Sequence, residues 1–298
     1  MEVLLTGASG FLGKGLVDKL AETSDEVIVL TRQELSFSER NVVVERCDIT
    51  SMTDIEAIYK KHPNIDTIVH LAALVPKTAD EDQPLPMLKA NVEGTITLLE
   101  TFGPTLQNFV YASTAEVYGL PETKGKISED HPARPASYYG ASKLAGELFC
   151  TVYGQKHNLP VSILRFTVMY GAGDTINRAI PNFIRKALAK EPLELYGGEE
   201  LRDYLQIDDA VEALYLAATN PQAGVFNIGS GVGTSVKQAA EAVIQKVGNG
   251  VSLQILPRQK PAVDIVLDVT RAQKVFGFKP THVFPEKLED QITWQRNQ

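Results

Sequence analysis

In the first two-thirds of the chain the apolar residues gather in short, nearly continuous and often β-branched runs, at 3–6, 27–31, 42–46, 67–71, 108–113 and 161–166. Between them lie stretches with helical periodicity, near 11–22, 53–61, 87–102 and 141–158. Strands alternating with helices predict right-handed βαβ crossovers and a parallel sheet covered on both faces. Strands buried on both faces read as unbroken apolar runs, as these do. The fold class is therefore α/β, a doubly wound parallel sheet. After about residue 167 shorter elements are separated by Gly171, Gly173, Pro192, Gly197, Gly198, Pro221, Gly229, Gly231, Pro257 and Pro261. A helix is expected at Asp208-Asp209, whose carboxylates suit the positive end of its dipole, and another over 235–247. The pattern predicts a sheet domain over 1–167 and a smaller α/β lobe over 168–298. The two are interleaved by a segment near 204–230, because the short run 204–207 can return to the first domain.

The first strand runs into Thr6-Gly7-Ala8-Ser9-Gly10-Phe11-Leu12-Gly13, where the first helical pattern opens. Gly7 permits a tight turn, Gly10 lets the main chain approach a pyrophosphate, and Gly13 lets helix and strand pack closely. The helix N-terminus then offers free N–H groups and a partial positive charge. Turns need glycine anyway, so the position decides: strand before, helix after, a second strand about fifteen residues on. The expected occupant is a dinucleotide, contacted by Gly7, Ser9, Gly10, Phe11, Leu12 and Gly13. The second strand of such a unit normally ends in a carboxylate for the ribose 2′-hydroxyl. Here Thr31 stands at that place, followed by Arg32. No carboxylate repels a 2′-phosphate and Arg32 can pair with one, which favours NADP over NAD. The alternative is a solvated strand-end arginine.

Ser137-Tyr138-Tyr139-Gly140-Ala141-Ser142-Lys143 carries Tyr139 and Lys143 four apart, on one face of a helix. A free tyrosine has a pKa of about 10 and is a poor base near neutrality. A neighbouring ammonium and an oxidised nicotinamide ring would both favour its phenolate. Upstream, at the end of the fifth strand, lies Tyr111-Ala-Ser-Thr-Ala-Glu-Val-Tyr-Gly119. Doubly wound sheets bind ligands at the C-terminal ends of their strands, so glycine turn, hydroxyls and tyrosine converge on one crevice.

With its Gly-x-x-Gly-x-x-Gly turn and Tyr-x-x-x-Lys pair, the chain resembles the extended short-chain dehydrogenase/reductase superfamily, with a Rossmann-type domain. The closest shape is the nucleotide-sugar epimerase/dehydratase group, and the resemblance runs along nearly the entire chain. It implies that Thr114 is the catalytic hydroxyl, with Ser113 as the fallback, and that Tyr139 and Lys143 complete the set. It further implies an adenine-side contact at Asp48 and Ile49, with capping of the next helix as the other role for Asp48. Leu71, Ala72 and Ala73 would line the dinucleotide, while His70 reads as a packed strand-end residue. Asn91 matches the group's central-helix asparagine.

Three departures bear on the reaction. Sugar-nucleotide dehydratases of this group follow the threonine with Asp then Glu; here Ala115 and Glu116 follow, which removes the proton donor for loss of water. Val168 stands where an asparagine usually meets the sugar diphosphate. Arg202 matches the group's diphosphate arginine, or forms an ion pair with Asp203 or a neighbouring carboxylate. Arg258 or Lys260 fills the late basic position. The resemblance thus implies an NAD(P)-dependent sugar-nucleotide epimerase or 4-ketoreductase. The alternatives are an NADPH-dependent reductase of a non-nucleotide carbonyl, a dehydratase, and a dinucleotide-sensing regulator without catalysis. It also implies a homodimer through the helices near 87–102 and 141–158.

Composition removes other classes. The net charge is -8 with dispersed Lys and Arg, which speaks against nucleic acid or an anionic membrane as partner. No apolar stretch is long enough to span a bilayer. Met1 leads directly into Val3-Leu4-Leu5 without a basic leader, so a secretory signal is not expected. The two cysteines, Cys47 and Cys150, make no metal-ligand spacing, so no metal and no disulfide framework are expected, and a reducing cytoplasm suits them.

Overall fold

Every apolar run in the first two-thirds of the chain forms a strand. In the computed structural model, which describes residues 1–121, 125–248, 250–258 and 261–298, the order opens β1 (Glu2–Thr6), α1 (Gly13–Ala21), β2 (Glu26–Thr31), β3 (Val42–Arg46), α2 (Met52–Lys61) and β4 (Thr67–His70). The region expected as one helix near 87–102 is instead α3 (Pro84–Met87), a π-helical stretch Leu88–Glu93 and α4 (Gly94–Phe102). Then come β5 (Asn108–Thr114), α5 (Tyr138–His157) and β6 (Val161–Phe166).

These strands and a later one, β10 (Gly224–Ile228), make a seven-stranded sheet in the order β10-β6-β5-β4-β1-β2-β3, every pair of it parallel. The order reverses at β1, between β4 and β2, and a crevice opens there outside the strand ends. Period-two alternation divides each strand between two cores. Val3 and Leu5 face α1, whose Leu16, Val17 and Leu20 are buried with them. Leu4 faces the opposite side with Ile55 and Ile58 of α2, Leu98 and Phe102 of α4 and Cys150 of α5.

The second part runs β7 (Val168–Tyr170), α6 (Ala179–Leu188), β8 (Leu193–Tyr196), β9 (Leu201–Gln206), α7 (Ile207–Thr219), β10 (Gly224–Ile228), β11 (Gly233–Ser235), α8 (Val236–Val247), β12 (Leu253–Leu256), α9 (Thr270–Phe276) and α10 (Leu288–Arg296). The expected return near 204–230 divides. Helix α7 packs in the same core as α1, and β10 pairs with β6 at the sheet edge. The run 204–207 does not join the large sheet: Tyr204 to Gln206 belong to β9, which sits between β11 and β7 in a separate three-stranded sheet, although Leu205 is buried in the first core. The strand is drawn there because Tyr204 is needed in a third core, with Tyr170, Phe183 and Phe284. Helix α9 joins the first core although it lies far into the C-terminal region: Phe276 meets Phe226 of β10 edge-on with ring centroids 4.6 Å apart. Among the described residues no helix is long and apolar enough to cross a membrane.

Candidate active site

The turn from β1 into α1 is built around Gly7, whose φ is +79°. A Cβ there would lie 2.7 Å from the Ala72 nitrogen and 2.8 Å from the Leu71 carbonyl carbon. The glycine therefore lets the turn lie directly against the chain leaving β4. Thr6 ties the two together: its hydroxyl accepts the Ala72 N–H at 3.1 Å, and its carbonyl accepts the Leu71 N–H at 3.2 Å. Ser9 and Gly10 are exposed, and Phe11, Leu12 and Ala73 half-buried. Helix α1 has no side-chain cap and no acidic residue in its first turn. A helix N-terminus left uncapped and free of carboxylates is electrostatically suited to a phosphate, so the residues present fit a dinucleotide.

At the end of β2, Thr31 is buried and its hydroxyl accepts the Gln33 N–H at 3.0 Å, while Arg32 is exposed beside it. A cleft lined by Gln33, Ser36, Val44 and Arg46 opens next to them. Asp48 does not cap α2. That place belongs to Ser51, which accepts from Asp54, while Asp48 accepts the main-chain N–H and hydroxyl of Thr50 at 3.0 and 2.9 Å. These bonds, with Arg32 nearby, hold its carboxyl below the usual carboxylate range. Ile49 packs where a Cβ on Gly94 would otherwise stand.

Asn91 is buried within the π-helical stretch. Its side chain accepts the Leu74 N–H at 2.7 Å and donates to the Leu74 carbonyl at 3.1 Å and to the Ser142 hydroxyl at 2.9 Å. It thereby pins the chain leaving β4 onto the helix that carries Tyr139 and Lys143. His70 is fully buried between the Thr6 and Thr95 hydroxyls, at 2.7 and 3.0 Å. Burial, with the Lys143 charge nearby, pushes its pKa down to about 3, so the ring is neutral.

The N-terminus of α5 is held by three side chains. Ser137 caps it, accepting the Gly140 N–H at 3.0 Å and donating to Glu116 at 2.9 Å. Asp82, on the segment between β4 and α3, accepts the N–H groups of Tyr138 and Tyr139 at 3.0 and 2.7 Å. Thr114 ends β5 and its hydroxyl accepts the Glu116 N–H at 3.2 Å. Ser113 is not free for a ligand: it is buried and donates to Glu147.

The electrostatics differ from the sequence expectation in one respect. Desolvation pushes the Tyr139 hydroxyl well above the ordinary tyrosine range, Glu116 acts in the same direction, and the opposing cation is Arg178. Lys143 seats its ammonium on a different ring. Its side chain is 2% exposed and runs back into the sheet, with Nζ 4.1 Å from the centroid of the Tyr111 ring. Burial lowers its pKa to about 8, with Cys150 and Glu147 working against that. Glu116 retains exposed surface, yet desolvation of its carboxyl and the nearby Asp82 raise its pKa, against Ser137 and Arg178.

The residues expected around a sugar diphosphate come from the second part of the chain. Val168 opens β7, half-buried opposite Tyr204 of β9. Arg202 makes no ion pair with Asp203. Its guanidinium donates to the carbonyls of Leu201 and Val263 at 3.0 and 2.5 Å. Asp203 instead accepts from the main chain of Ser230, Gly231 and Leu267 and from the Ser230 hydroxyl. Arg258 pairs with Glu199 and Glu200, and Lys260 lies outside the described residues. Among the described residues no cluster of His, Cys, Asp or Glu is placed to hold a metal.

Three groups at the site escaped the sequence reading. Asp82 sits in an acidic run that reads as a solvated loop, and Arg178 follows a glycine-rich loop without a motif. Ser137 was legible, as a serine directly before a helix.

The whole chain has relatives of known name. It is 31% identical to a UDP-glucose 4-epimerase of Mycolicibacterium smegmatis, over 100% of this chain and 99% of that one. A solved UDP-glucose 4-epimerase of Thermotoga maritima with UDP-glucose superposes with a TM-score of 0.89 at 29% identity, covering 100% and 99% of the two chains. A Thermus thermophilus UDP-glucose 4-epimerase in complex with NAD gives a TM-score of 0.86 at 27% identity, over 99% of each chain. Relatives of similar identity carry the names of both UDP-glucose 4-epimerases and dTDP-glucose 4,6-dehydratases. The sequence model of the NAD dependent epimerase/dehydratase family matches residues 3–229, and the chain belongs to that family of enzymes.

Proposed function

We propose that this chain is an NAD(P)-dependent oxidoreductive enzyme acting on a nucleoside-diphosphate sugar, a 4-epimerase or 4-ketoreductase, with Tyr139 as its acid/base. The observation that supports the reading is that Thr114, at the C-terminal end of β5, and Tyr139, in the first turn of α5 that Ser137 ties to Glu116, stand at the same edge of the parallel sheet as the uncapped, carboxylate-free start of α1. The UDP-glucose and NAD bound by the two structural relatives support the substrate and cofactor classes. The turn from Gly7 to Gly13 would hold the pyrophosphate, with Asp48 and Ile49 toward the adenine and Leu71, Ala72, Ala73 and Asn91 along the opposite wall. Thr31 with Arg32 accommodates a ribose bearing a 2′-phosphate, which makes NADP the favoured form.

When bound, the nicotinamide accepts and returns a hydride. Tyr139 removes the proton of the sugar hydroxyl as its carbon is oxidised to a ketone, and gives a proton back when the carbonyl is reduced. Thr114 holds the oxygen that changes between hydroxyl and carbonyl. Lys143 supplies positive charge beneath the site. Arg202, Arg258 and Glu116 face the rest of the substrate. Ala115 has no proton to donate, which argues against elimination of water. Val168 favours one second reading, reduction of a carbonyl compound without a diphosphate, because valine makes no hydrogen bond to one.

Exposed apolar side chains support a homodimer through the helices: Leu85, Leu88, Leu148, Phe149 and Val152 are all at least half open or nearly so. Both cysteines are buried free thiols, which suits a cytoplasmic protein.

The experiment is turnover of a UDP-hexose by the purified enzyme and by Tyr139→Phe. The substitution is expected to lower kcat by about 10²- to 10⁴-fold with dinucleotide affinity kept. Parental turnover in the variant removes Tyr139 from the chemistry. A tightly held NAD in the purified protein favours the epimerase, and an empty site preferring added NADPH favours a reductase.

A further inference from the structure

Directly beneath the hydroxyl–tyrosine–lysine set lies a charged group that the proposed chemistry does not use. Glu147, one helical turn beyond Lys143 on α5, is 3% exposed, and Arg165 of β6 is 6% exposed. The guanidinium grips the carboxylate with Nε at 3.0 and 3.2 Å from its two oxygens and an Nη at 2.6 Å. Ser113, the residue before Thr114, donates its hydroxyl to the same carboxylate. The Arg165 guanidinium lies 4.8 Å from the centre of the Tyr118 ring, and the Tyr118 hydroxyl donates to Asn227 of β10 at 2.7 Å. One carboxylate thus ties together β5, β6 and α5, the three elements that fix the distance between Thr114 and the Tyr139–Lys143 pair.

A buried ion pair contributes little net stability compared with well-packed apolar side chains of the same volume. Stability alone therefore does not account for three interlocked polar side chains in the floor of the sheet. We propose that Glu147, clamped by Arg165 and Ser113, is a positioning residue for the active site: it sets the register of α5 against β5 and keeps a negative charge close to the buried Lys143 ammonium. This rests on the reading of Tyr139 and Lys143 given above. The groups facing Lys143 are Tyr111 of β5, His70 of β4, and Cys150 and Glu147 of its own helix. His70 is neutral and the Cys150 thiol is pushed up by burial, which leaves Glu147 as the anion of that set.

The test is the double substitution Glu147→Gln with Arg165→Met, which removes both partners of the pair, so that neither the guanidinium nor the carboxylate is left buried without the other, while Lys143 loses its neighbouring anion. It is read by kcat, KM and the pH profile of the holoenzyme turning over a UDP-hexose. The expected result is a kcat at least about tenfold lower, as follows from misplacing a catalytic group by a fraction of an ångström. KM should stay within about threefold, and the alkaline limb should move to lower pH because Lys143 loses its proton sooner. Parental kcat with an unmoved alkaline limb overturns the proposal. If the double variant fails to fold, Ser113→Ala decides, since it cuts only the tie to β5: reduced kcat at unchanged KM supports the proposal and parental kcat overturns it. Tyr139→Phe, measured alongside, separates the two readings. If it is as active as the parent, the acid/base reading fails; if it is inactive while the floor variants are normal, only the positioning role fails.

Discussion

Gly7→Ala tests the architecture of the cofactor site at its narrowest point. Two penalties combine there. The residue sits at φ +79°, a left-handed conformation that costs an alanine about 1–2 kcal/mol. The new Cβ would also stand 2.7 and 2.8 Å from main-chain atoms of Ala72 and Leu71, where ordinary contact begins at 3.4 Å. Neither neighbour is a flexible side-chain end, so the turn and the chain leaving β4 must separate by several tenths of an ångström. Overpacking of that kind costs about 1–3 kcal/mol. Together the expected loss is about 2–5 kcal/mol, or a fall in Tm of roughly 3–8 °C for a chain of this size. Because the separation parts the two walls of the dinucleotide site, the Tm rise produced by saturating NAD should shrink as well. Gly10→Ala is the control. Its Cβ meets only the Gly7 carbonyl oxygen, at 3.2 Å, and its φ is not positive. It should leave the free protein within about 1 kcal/mol of the parent yet weaken dinucleotide binding, because the main chain at that position must approach a pyrophosphate. Thermal unfolding with and without NAD, with a fluorescence titration, reads both effects. A Gly7→Ala protein with parental Tm and NAD affinity would refute the reasoning.

Three further outcomes are expected. His70 stays neutral in the folded protein down to about pH 3, against an ordinary value of 6.5, so unfolded chains bind more protons in that window and stability falls as the pH drops through it. At pH 5 the loss is about 2 kcal/mol; His70→Asn should flatten the change in urea midpoint between pH 7 and pH 5, and equal losses in both proteins would remove His70 as the cause. Arg32→Glu should weaken NADP by at least about tenfold, ~1.4 kcal/mol, and leave NAD nearly unchanged in a binding titration; parallel losses for both would show that Arg32 does not meet the 2′-phosphate. On the proposal of a homodimer through α5, the parent should sediment as a dimer and Phe149→Glu, at a side chain 50% exposed, as a monomer; a parent that sediments as a monomer would refute the dimer, and an unchanged dimer mass in the variant would place the interface elsewhere.

The sheet was legible because strands buried on both faces must be apolar along their length, a property each segment carries locally. The glycine turn was legible for a related reason: the spacing of Gly7, Gly10 and Gly13 expresses steric demands made within a dozen residues. Position in sequence misled where partnership decided the outcome. The run at Tyr204 has strand character wherever it is placed, but the third core, with Tyr170 and Phe284, makes burial of that ring favourable. Helix α9 was drawn the other way, into the first core, by Phe226.

At the active site the same division holds. Local sequence determined which residues carry chemistry and that Tyr139 and Lys143 share a helix face, because backbone geometry sets the reach of neighbours four apart. What those side chains experience was decided by groups distant in the chain. The Lys143 ammonium lies over the Tyr111 ring, and Glu116 and Arg178, far away in the sequence, bear on the Tyr139 hydroxyl. Helix α5 begins where Asp82 receives its first N–H groups. Asn91 points inward from a π-helical stretch that no hydrophobic period announces. Desolvation and Coulomb interactions depend on separations in space, which a linear pattern does not encode until the sheet has brought its strand ends together.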